Sequence, residues 1–454
     1  MPENIVFVHG YSVRSLDAYG QVPRLLATLS QSGQNFEIFL SAFDSLDDEI
    51  TCIELAKALE LRISRLEAQN KLSVKNAAFV CHSTGAIVTR RWILDRIASK
   101  KDIPSHFVSM AGANHGSTLA QLGRTQWAQF GKQVFDRSPS GQGVLTDLDY
   151  GSRFLLDLNR EWLKQENNGF LSKTFCFSMV GDDNTANEKM FGGAGAVFWQ
   201  VREIGSDSTV RISGSNLNYR MLTFDGGSTS PQLEVLQLKS KVAHKILPGV
   251  AHTGEETGIF DSIKSLDDKP LKELITALAV KSPQEYKDLS DRWDNENNDW
   301  QSIQANLSID QSKCKSTIVF EARLPFDKPV DDYVITILDE NSRAKTVSSS
   351  IMKNQPIQNN TNRSAVSFYV DYKTFSGAHP HILNLEIDRS PEKIQYDPVN
   401  YKVPQVIEGL IMANEFTYVA ITLDEAVFHV LNYAGSLDLK AQWPPLPKEQ
   451  WWVE

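Results

Sequence analysis

The sequence contains few of the features that mark several classes of protein. Its 454 residues include only four cysteines, which show no paired spacing: Cys52, Cys81, Cys176 and Cys314. We therefore expect free thiols in a reducing compartment and no cysteine-based zinc site. The chain also has no apolar run of transmembrane length, no internal repeat and no low-complexity tract, so it does not indicate a membrane-spanning, solenoid or low-complexity architecture.

Positive charge is also scarce. Acidic residues outnumber basic ones by 56 to 46, which gives a net charge of −10 and disfavours nucleic acid or a generally anionic membrane surface as a partner. A hydrophobic fraction of 41% is ordinary for a globular chain, and the length favours two domains. No secretion signal is visible. We expect a cytoplasmic location, with signal-independent export as the alternative.

The most informative stretch is residues 75–92, which read KNAAFVCHSTGAIVTRRW. An apolar run stops at CHSTG, and a helical pattern begins at once, which predicts a strand, a sharp turn and a helix. A serine in such a turn exposes its hydroxyl, while the helix N-terminus faces any anion formed there. Ser83 is therefore a candidate nucleophile. The alternative is a Ser/Thr pair that only caps an ordinary helix.

The segments before this turn alternate between strand and helix patterns. Residues 5–8 predict a buried strand that ends at a His-Gly pair, and residues 36–43 predict a second strand. Helical spacing covers residues 19–30 and 47–69. This succession predicts a parallel sheet with helices on both faces.

Candidates for an acid and a base follow later in the chain. Asp182 and Asp183 come directly after a predicted strand, and Asp207 lies in the segment GSDSTVRIS. We prefer Asp207, because the other two have capping a turn or holding a cation as alternative roles. His252 lies on a small-residue loop after a short apolar run and is the candidate base. His115 precedes every candidate acid, and we expect it to be structural.

These motifs resemble α/β-hydrolase serine lipases and esterases, including small bacterial lipases, over residues 4–280. The common G-x-S-x-G pattern reads C-x-S-x-G here, with Cys81 at its first position. The resemblance implies a doubly wound, mostly parallel sheet. It also implies a triad ordered serine, acid, histidine. In such enzymes an oxyanion hole uses the N–H groups that here belong to Tyr11 and Thr84.

The chemistry implied by this resemblance is hydrolysis of a carboxylic ester. A histidine activates the serine and an acid orients the histidine, so no metal or organic cofactor is needed. Aromatic insertions favour an apolar acyl ester or lipid as substrate. One alternative is an acyltransferase or amidase that uses the same triad. Another is a catalytically idle fold that serves as a binding module.

The chain divides into a hydrolase domain and a β domain in this interpretation. The catalytic domain covers residues 1–282 and contains two insertions. We expect the insertion at 118–173 to be either a mobile lid or a packed helical hairpin, and the insertion at 184–204 to be a second flap over the site. A polar linker covers residues 283–312. Short β runs in residues 313–454 predict a β-sandwich with a Trp/Pro-rich tail. By analogy with other lipases, this domain would contact a membrane surface or a protein partner.

Overall fold

The computed structural model describes most of the chain. The described residues are 1–11, 16–31, 36–41, 49–121, 141–169, 172–184, 203–225, 232–308, 311–324, 328–329, 334–338, 357–371, 382–386, 400–403 and 411–422. Among these residues, no helix combines the length and the apolar character needed to cross a membrane. All four cysteines are buried free thiols.

Strands and helices alternate in the first half of the chain, and strands dominate the end. The strands are β1 (Asn4–Val8), β2 (Glu37–Ser41), β3 (Ala77–His82), β4 (His106–Met110), β5 (Phe175–Gly181), β6 (Tyr219–Asp225), β7 (Gln232–Gln237), β8 (Ala243–Leu247), β9 (Lys315–Leu324), β10 (Lys328–Pro329), β11 (Val334–Leu338), β12 (Ile357–Gln358), β13 (Ala365–Asp371), β14 (Ile382–Glu386), β15 (Asn400–Val403) and β16 (Phe416–Thr422). The α-helices are α1 (Val22–Gln31), α2 (Cys52–Ala68), α3 (Thr84–Ala98), α4 (Gln142–Leu148), α5 (Arg153–Asn167), α6 (Ile212–Ser215), α7 (Lys269–Ala279) and α8 (Pro283–Ala305).

A six-stranded parallel sheet forms the first core, in the order β2-β1-β3-β4-β5-β8. Successive residues of a strand point to opposite faces. In β1, Val6 and Val8 join an apolar cluster with α2, α3 and α5, whereas Ile5 and Phe7 join a second cluster with α1, α7 and α8. The sheet therefore carries helices on both faces, which explains the continuous apolar runs of its inner strands β1 and β3.

The start of α2 differs from the prediction. The acids at 47–49 predict a helix beginning there. Residues 47 and 48 lie outside the described residues, residues 49–51 are not helical, and α2 begins at Cys52. Thr51 caps it, and the Glu54 carboxylate accepts a hydrogen bond from the Thr51 backbone N–H at 3.1 Å. The reciprocal Ser/Thr and Glu pattern of a capping box fixes this helix end more strongly than acids near the dipole do.

The predicted linker is wrong over most of its length, because residues 283–305 form helix α8. The helix opens with a capping box, in which Ser282 accepts from Glu285 N–H at 3.2 Å. Its buried stripe has a helical period but mixes apolar with amide side chains: Leu289, Trp293, Asn297, Trp300 and Gln304. Asn297 completes the edge of the sheet by accepting from Ile246 N–H and donating to His244 O. Polar residues with such hydrogen-bond partners can be part of the core. The polar composition of residues 283–305 therefore does not indicate a linker.

The second sheet combines strands from both predicted domains. Its order is β12-β13-β9-β16-β6-β7, with β10 paired to β9. Strand β16 runs parallel to both β9 and β6, whereas the other pairs in this sheet are antiparallel. Strands β11, β14 and β15 form a separate antiparallel sheet. The mixed sheet fits the expected additional C-terminal domain, but β6 and β7 come from within residues 1–282.

The two predicted insertions are only partly described. Helices α4 and α5 of the first insertion pack into the core, where Leu155, Leu158 and Trp162 are buried. This part of the insertion agrees with the packed-helix interpretation. Residues 122–140 and 185–202, on which the lid interpretation rests, lie outside the described residues, as does the Trp/Pro-rich tail.

Replacing Trp293 with alanine will lower the free energy of unfolding by about 3–5 kcal/mol. Trp293 is fully buried, and its indole N–H donates to Glu273 at 2.8 Å. Urea denaturation measures the loss. Ile303→Ala on the same helix is the control, because Ile303 is 63% exposed and its loss should change stability by less than about 0.5 kcal/mol. Equal stabilities for the two variants would contradict the packing of α8.

Candidate active site

The backbone turns sharply at Ser83, between the end of β3 and the start of α3. Ser83 has φ 54° and ψ −126°, a left-handed conformation that side-chain-bearing residues rarely adopt. Such a backbone costs on the order of 1–3 kcal/mol and persists only where its surroundings fix it. The turn leaves Ser83 half-buried at the carboxyl edge of the parallel sheet, where sites in such folds assemble.

Small residues around Ser83 make this turn feasible. A Cβ on Gly85 would lie 2.3 Å from Val8 O, and a Cβ on Gly10 would lie 2.6 Å from Ser83 Cβ. Cys81 occupies the position of the usual first glycine. It points into the core and bonds Thr89 Oγ1 at 3.1 Å, and burial raises the pKa of its thiol to about 12. Cys81 is therefore a packing residue and not a second nucleophile.

The structure brings Ser83, Asp207 and His252 together. His252 Nε2 lies 3.1 Å from Ser83 Oγ, and His252 Nδ1 lies 2.9 Å from Asp207 Oδ2. Asp207 is fully buried and His252 is nearly so. Because the carboxylate accepts, Nδ1 carries the proton and Nε2 is left to accept from the serine hydroxyl. This arrangement holds the histidine in the tautomer that general-base chemistry requires.

Backbone contacts fix the rotation of the Asp207 carboxylate. Its Oδ1 atom accepts from Thr209 N–H at 3.0 Å and from Val210 N–H at 2.7 Å. The backbone carbonyl of Asp207 also accepts from His252 N–H at 2.8 Å. One carboxylate oxygen is thus used by its own loop, and the other is directed at the imidazole.

The second-choice acids have other surroundings. The Asp182 carboxylate accepts from Gly249 N–H at 2.7 Å and from the Trp300 indole at 3.0 Å, and it pairs with Lys313 at 3.2 Å. It fastens the loop before His252 to α8 and to the start of β9. Asp183 contributes backbone contacts, because its carbonyl accepts from Ser208 Oγ at 3.0 Å. The carboxylate bonded to His252 is that of Asp207.

The candidate oxyanion donors lie beside the serine. Thr84 is the first residue of α3, and N–H groups in a first helical turn have no partner within their own helix. Gly10 N–H donates to His9 Nδ1 at 2.6 Å, and Tyr11, the other candidate donor, follows Gly10 directly in this loop. The partial positive charge at the helix N-terminus would reinforce these donors.

Two further imidazole rings, those of His9 and His82, pack in a row next to His252, the first pair edge to face and the second tilted. The His82 ring lies 4.7 Å from the His9 ring and 4.7 Å from the His252 ring. Burial lowers the pKa of His9 to about 4 and holds that of His82 well below its usual range. Both rings are therefore neutral at pH 7 and act as packing surfaces. His115 is fully buried, and its ring nitrogens bond Tyr418 OH and Asn216 O.

A buried ion pair next to the acid was not predicted from the sequence. Arg211 donates to Glu203 from Nε and Nη2, both at 2.7 Å. The guanidinium lies 4.4 Å from the Tyr150 ring and 4.2 Å from the Tyr369 ring. Two of these four residues are remote in sequence from the acid segment, so local patterns do not reveal the cluster.

No protein-family model and no curated protein matches the chain. Among solved structures, phospholipase PlaB from Legionella pneumophila has 24% identity and a TM-score of 0.79, covering 93% of this chain and 94% of that one. The same phospholipase in complex with thio-NAD has 23% identity and a TM-score of 0.77, with 92% and 93% covered. The six-stranded parallel sheet, its flanking helices and the serine turn after β3 agree with this structural similarity. The chain has the α/β-hydrolase fold.

Replacing Gly10 with alanine will lower the rate at which a fluorophosphonate labels Ser83 by about 100-fold. The added Cβ would lie 3.1 Å from Ser83 Oγ and would displace the hydroxyl from His252. Mass spectrometry of the labelled serine over time measures the rate. Gly214→Ala is the matched control, because the nearest atom to its added Cβ lies at 3.5 Å. This variant should be labelled at the wild-type rate. Equal rates in both variants would contradict this account.

Proposed function

We propose that this chain is a serine hydrolase that cleaves carboxylic esters of lipids through an acyl-enzyme on Ser83. The observation that supports this most strongly is the continuous hydrogen-bonded chain from Asp207 through His252 to Ser83, with heavy-atom distances of 2.9 and 3.1 Å. Both distances lie within the reach that proton transfer requires. The order of the three residues along the chain is also that of α/β-hydrolases.

In the acylation step, Ser83 Oγ attacks the ester carbonyl carbon while His252 Nε2 takes the hydroxyl proton. The carbonyl π electrons move to its oxygen, and the N–H groups of Thr84 and Tyr11 stabilise the oxyanion, with each donor worth about 3 kcal/mol. The bond to the alcohol then breaks, and Nε2 returns the proton to the departing oxygen. Asp207 remains ionised and stabilises the imidazolium during the step.

In the deacylation step, water takes the place of the alcohol. His252 removes one proton from the water, the oxygen attacks the acyl carbon, and collapse returns the proton to Ser83 Oγ. The net reaction is one ester and one water giving one acid and one alcohol. An acyltransferase would bind an acceptor alcohol in place of water at this stage, and an amidase would release an amine in the first step.

The proposed substrate class is a glycerolipid or phospholipid ester. It is supported by the similarity to PlaB, which is named a phospholipase and whose match covers 93% of this chain. The aromatic residues of the insertions also favour an apolar acyl chain, although those between 122 and 140 and between 185 and 202 lie outside the described residues.

Substitutions of the triad will separate its members from the neighbouring acids. Ser83→Ala should abolish hydrolysis of chromogenic esters, with a loss of about a millionfold in kcat, because no nucleophile remains. Asp207→Asn should lower kcat about 10⁴-fold, because the amide no longer enforces the histidine tautomer. Initial rates over a range of ester concentrations give kcat and KM for each variant.

Asp183→Asn is the matched control for these measurements. It makes the same chemical change as Asp207→Asn on a residue whose carbonyl touches the acid loop, and it should keep kcat within a few-fold of wild type. If Asp183→Asn lost activity and Asp207→Asn kept it, the role of the acid would belong to Asp183 and not to Asp207. A wild type inactive on every ester would contradict the hydrolase proposal and favour a binding module.

Phospholipid vesicles will test the substrate class. We expect free fatty acid and lysophospholipid as products, detected by mass spectrometry, and a kcat/KM for long-chain esters above that for short-chain ones. Burial of each additional CH₂ group contributes about 0.8 kcal/mol in an apolar channel. A preference for short soluble esters would contradict the lipid assignment. Acyl transfer to an added alcohol at the expense of free acid would support the acyltransferase alternative.

A further inference from the structure

The loop that carries Asp207 is closed on itself. Asp207 N–H donates to Val210 O at 3.0 Å, and Ile212 N–H donates to Gly205 O at 2.9 Å. Ser206 and Arg211 form an isolated antiparallel bridge across the loop. The carboxylate position therefore moves with this loop as a unit, and whatever anchors the base of the loop also sets the position of the carboxylate.

A buried ion pair lies at the base of this loop. Glu203 and Arg211 are 4% and 1% exposed, and the pair is bidentate with both distances at 2.7 Å. Glu203 also accepts from Thr118 Oγ1 at 2.9 Å. Leaving either buried charge without its partner would be costly, so Glu203 and Arg211 stay paired. The bidentate pair therefore holds the two ends of the loop together at fixed geometry.

Aromatic rings from two other parts of the fold enclose the guanidinium. Tyr150 follows α4, and Tyr369 belongs to β13 in the second sheet. Their rings lie 4.4 and 4.2 Å from the guanidinium carbon. Stacking of this kind restricts the guanidinium plane as well as its position. The Asp207 loop is therefore held against the segment after α4 and against β13 of the second sheet.

Tyr369 also contacts the loop backbone directly. Its hydroxyl lies 2.8 Å from Ile204 O and 2.9 Å from Gly205 O. Gly205 has φ 86°, and a Cβ at this residue would lie 2.5 Å from the Tyr369 hydroxyl. Only a glycine allows this close approach of strand and loop, two residues before the acid.

We propose that Arg211 and Tyr369 are positioning residues, through which the second sheet sets the orientation of Asp207 towards His252. The inference rests on the proposed function for its kinetic consequence. Its structural content is independent of the substrate, because it concerns the Asp207–His252 hydrogen bond. In this proposal the second sheet contributes to the geometry of the Asp207–His252 pair.

Tyr369→Phe tests the contact with the least disturbance, because the ring over Arg211 remains and only the hydroxyl is lost. We expect kcat per titrated active site to fall about tenfold, the equivalent of one misplaced hydrogen bond, with KM unchanged. Active sites are counted by fluorophosphonate labelling, so unfolded protein does not enter kcat. Arg211→Lys retains the charge but loses the fork and the stacking, and should lower kcat about 100-fold.

Tyr418→Phe is the matched control on the same sheet. Its hydroxyl is buried and accepts from Asn159 at 2.8 Å, but it bonds neither Ile204 nor Gly205. This variant should keep the wild-type kcat per active site. A Tyr369→Phe variant with the wild-type kcat, or an equal fall in both variants, would overturn the proposal.

A second readout does not depend on activity. The proton shared between His252 Nδ1 and Asp207 should give a far-downfield ¹H NMR signal, assigned by its loss in His252→Gln. Tyr369→Phe and Arg211→Lys should shift or broaden this signal, and Tyr418→Phe should not. If the wild-type protein hydrolyses no ester, the proposed function is wrong. The NMR signal still tests whether Tyr369 and Arg211 position Asp207. An unchanged signal in both Tyr369→Phe and Arg211→Lys would overturn it.

Discussion

The left-handed backbone of Ser83 is the constraint on which the site depends. A serine does not hold φ 54° unaided, so β3, α3 and the loop after β1 must enclose it without a gap. Gly10 and Gly85 permit that enclosure, and Cys81 fills the remaining core position with a bond to Thr89. The strain at one residue thus determines which residue types its neighbours can have, and the helix that follows aims its first N–H groups at the same point.

Asp207 and His252 lie on loops that the second half of the chain holds in place. Trp300 and Lys313 secure the His252 loop through Asp182, and Tyr369 secures the Asp207 loop. Since β6 and β7 complete the sheet formed by β9, β13 and β16, the two predicted domains share one scaffold. A split at residue 282 or 313 would cut through packed structure, because α8 packs against the parallel sheet.

The features that the sequence reveals are those with local signals. The strand, turn and helix around Ser83 are encoded in adjacent residues, and the loop residues Asp207 and His252 stand out because small residues surround them. The ends of parallel strands then place all three at one edge of the sheet. Helix α8 escaped prediction because Asn297 and Gln304 belong to its buried stripe. The contact between Tyr369 and Gly205 joins residues 164 positions apart, and no pattern in one sequence reports such a pair.

The position of β16 also determines the order in which the molecule can be assembled. Asn216, just before β6, bonds Asn414 O, 198 residues later in the chain, and β16 fills the space between β9 and β6. During synthesis, the inner edges of β6 and β9 therefore stand without their neighbour until β16 leaves the ribosome. Exposed strand edges invite mispairing, and closing so long a loop is slow. The second sheet consequently reaches its final form only after residue 422 has been synthesised, and β6, which follows the Asp207 loop, lacks its β16 neighbour on every shorter nascent chain.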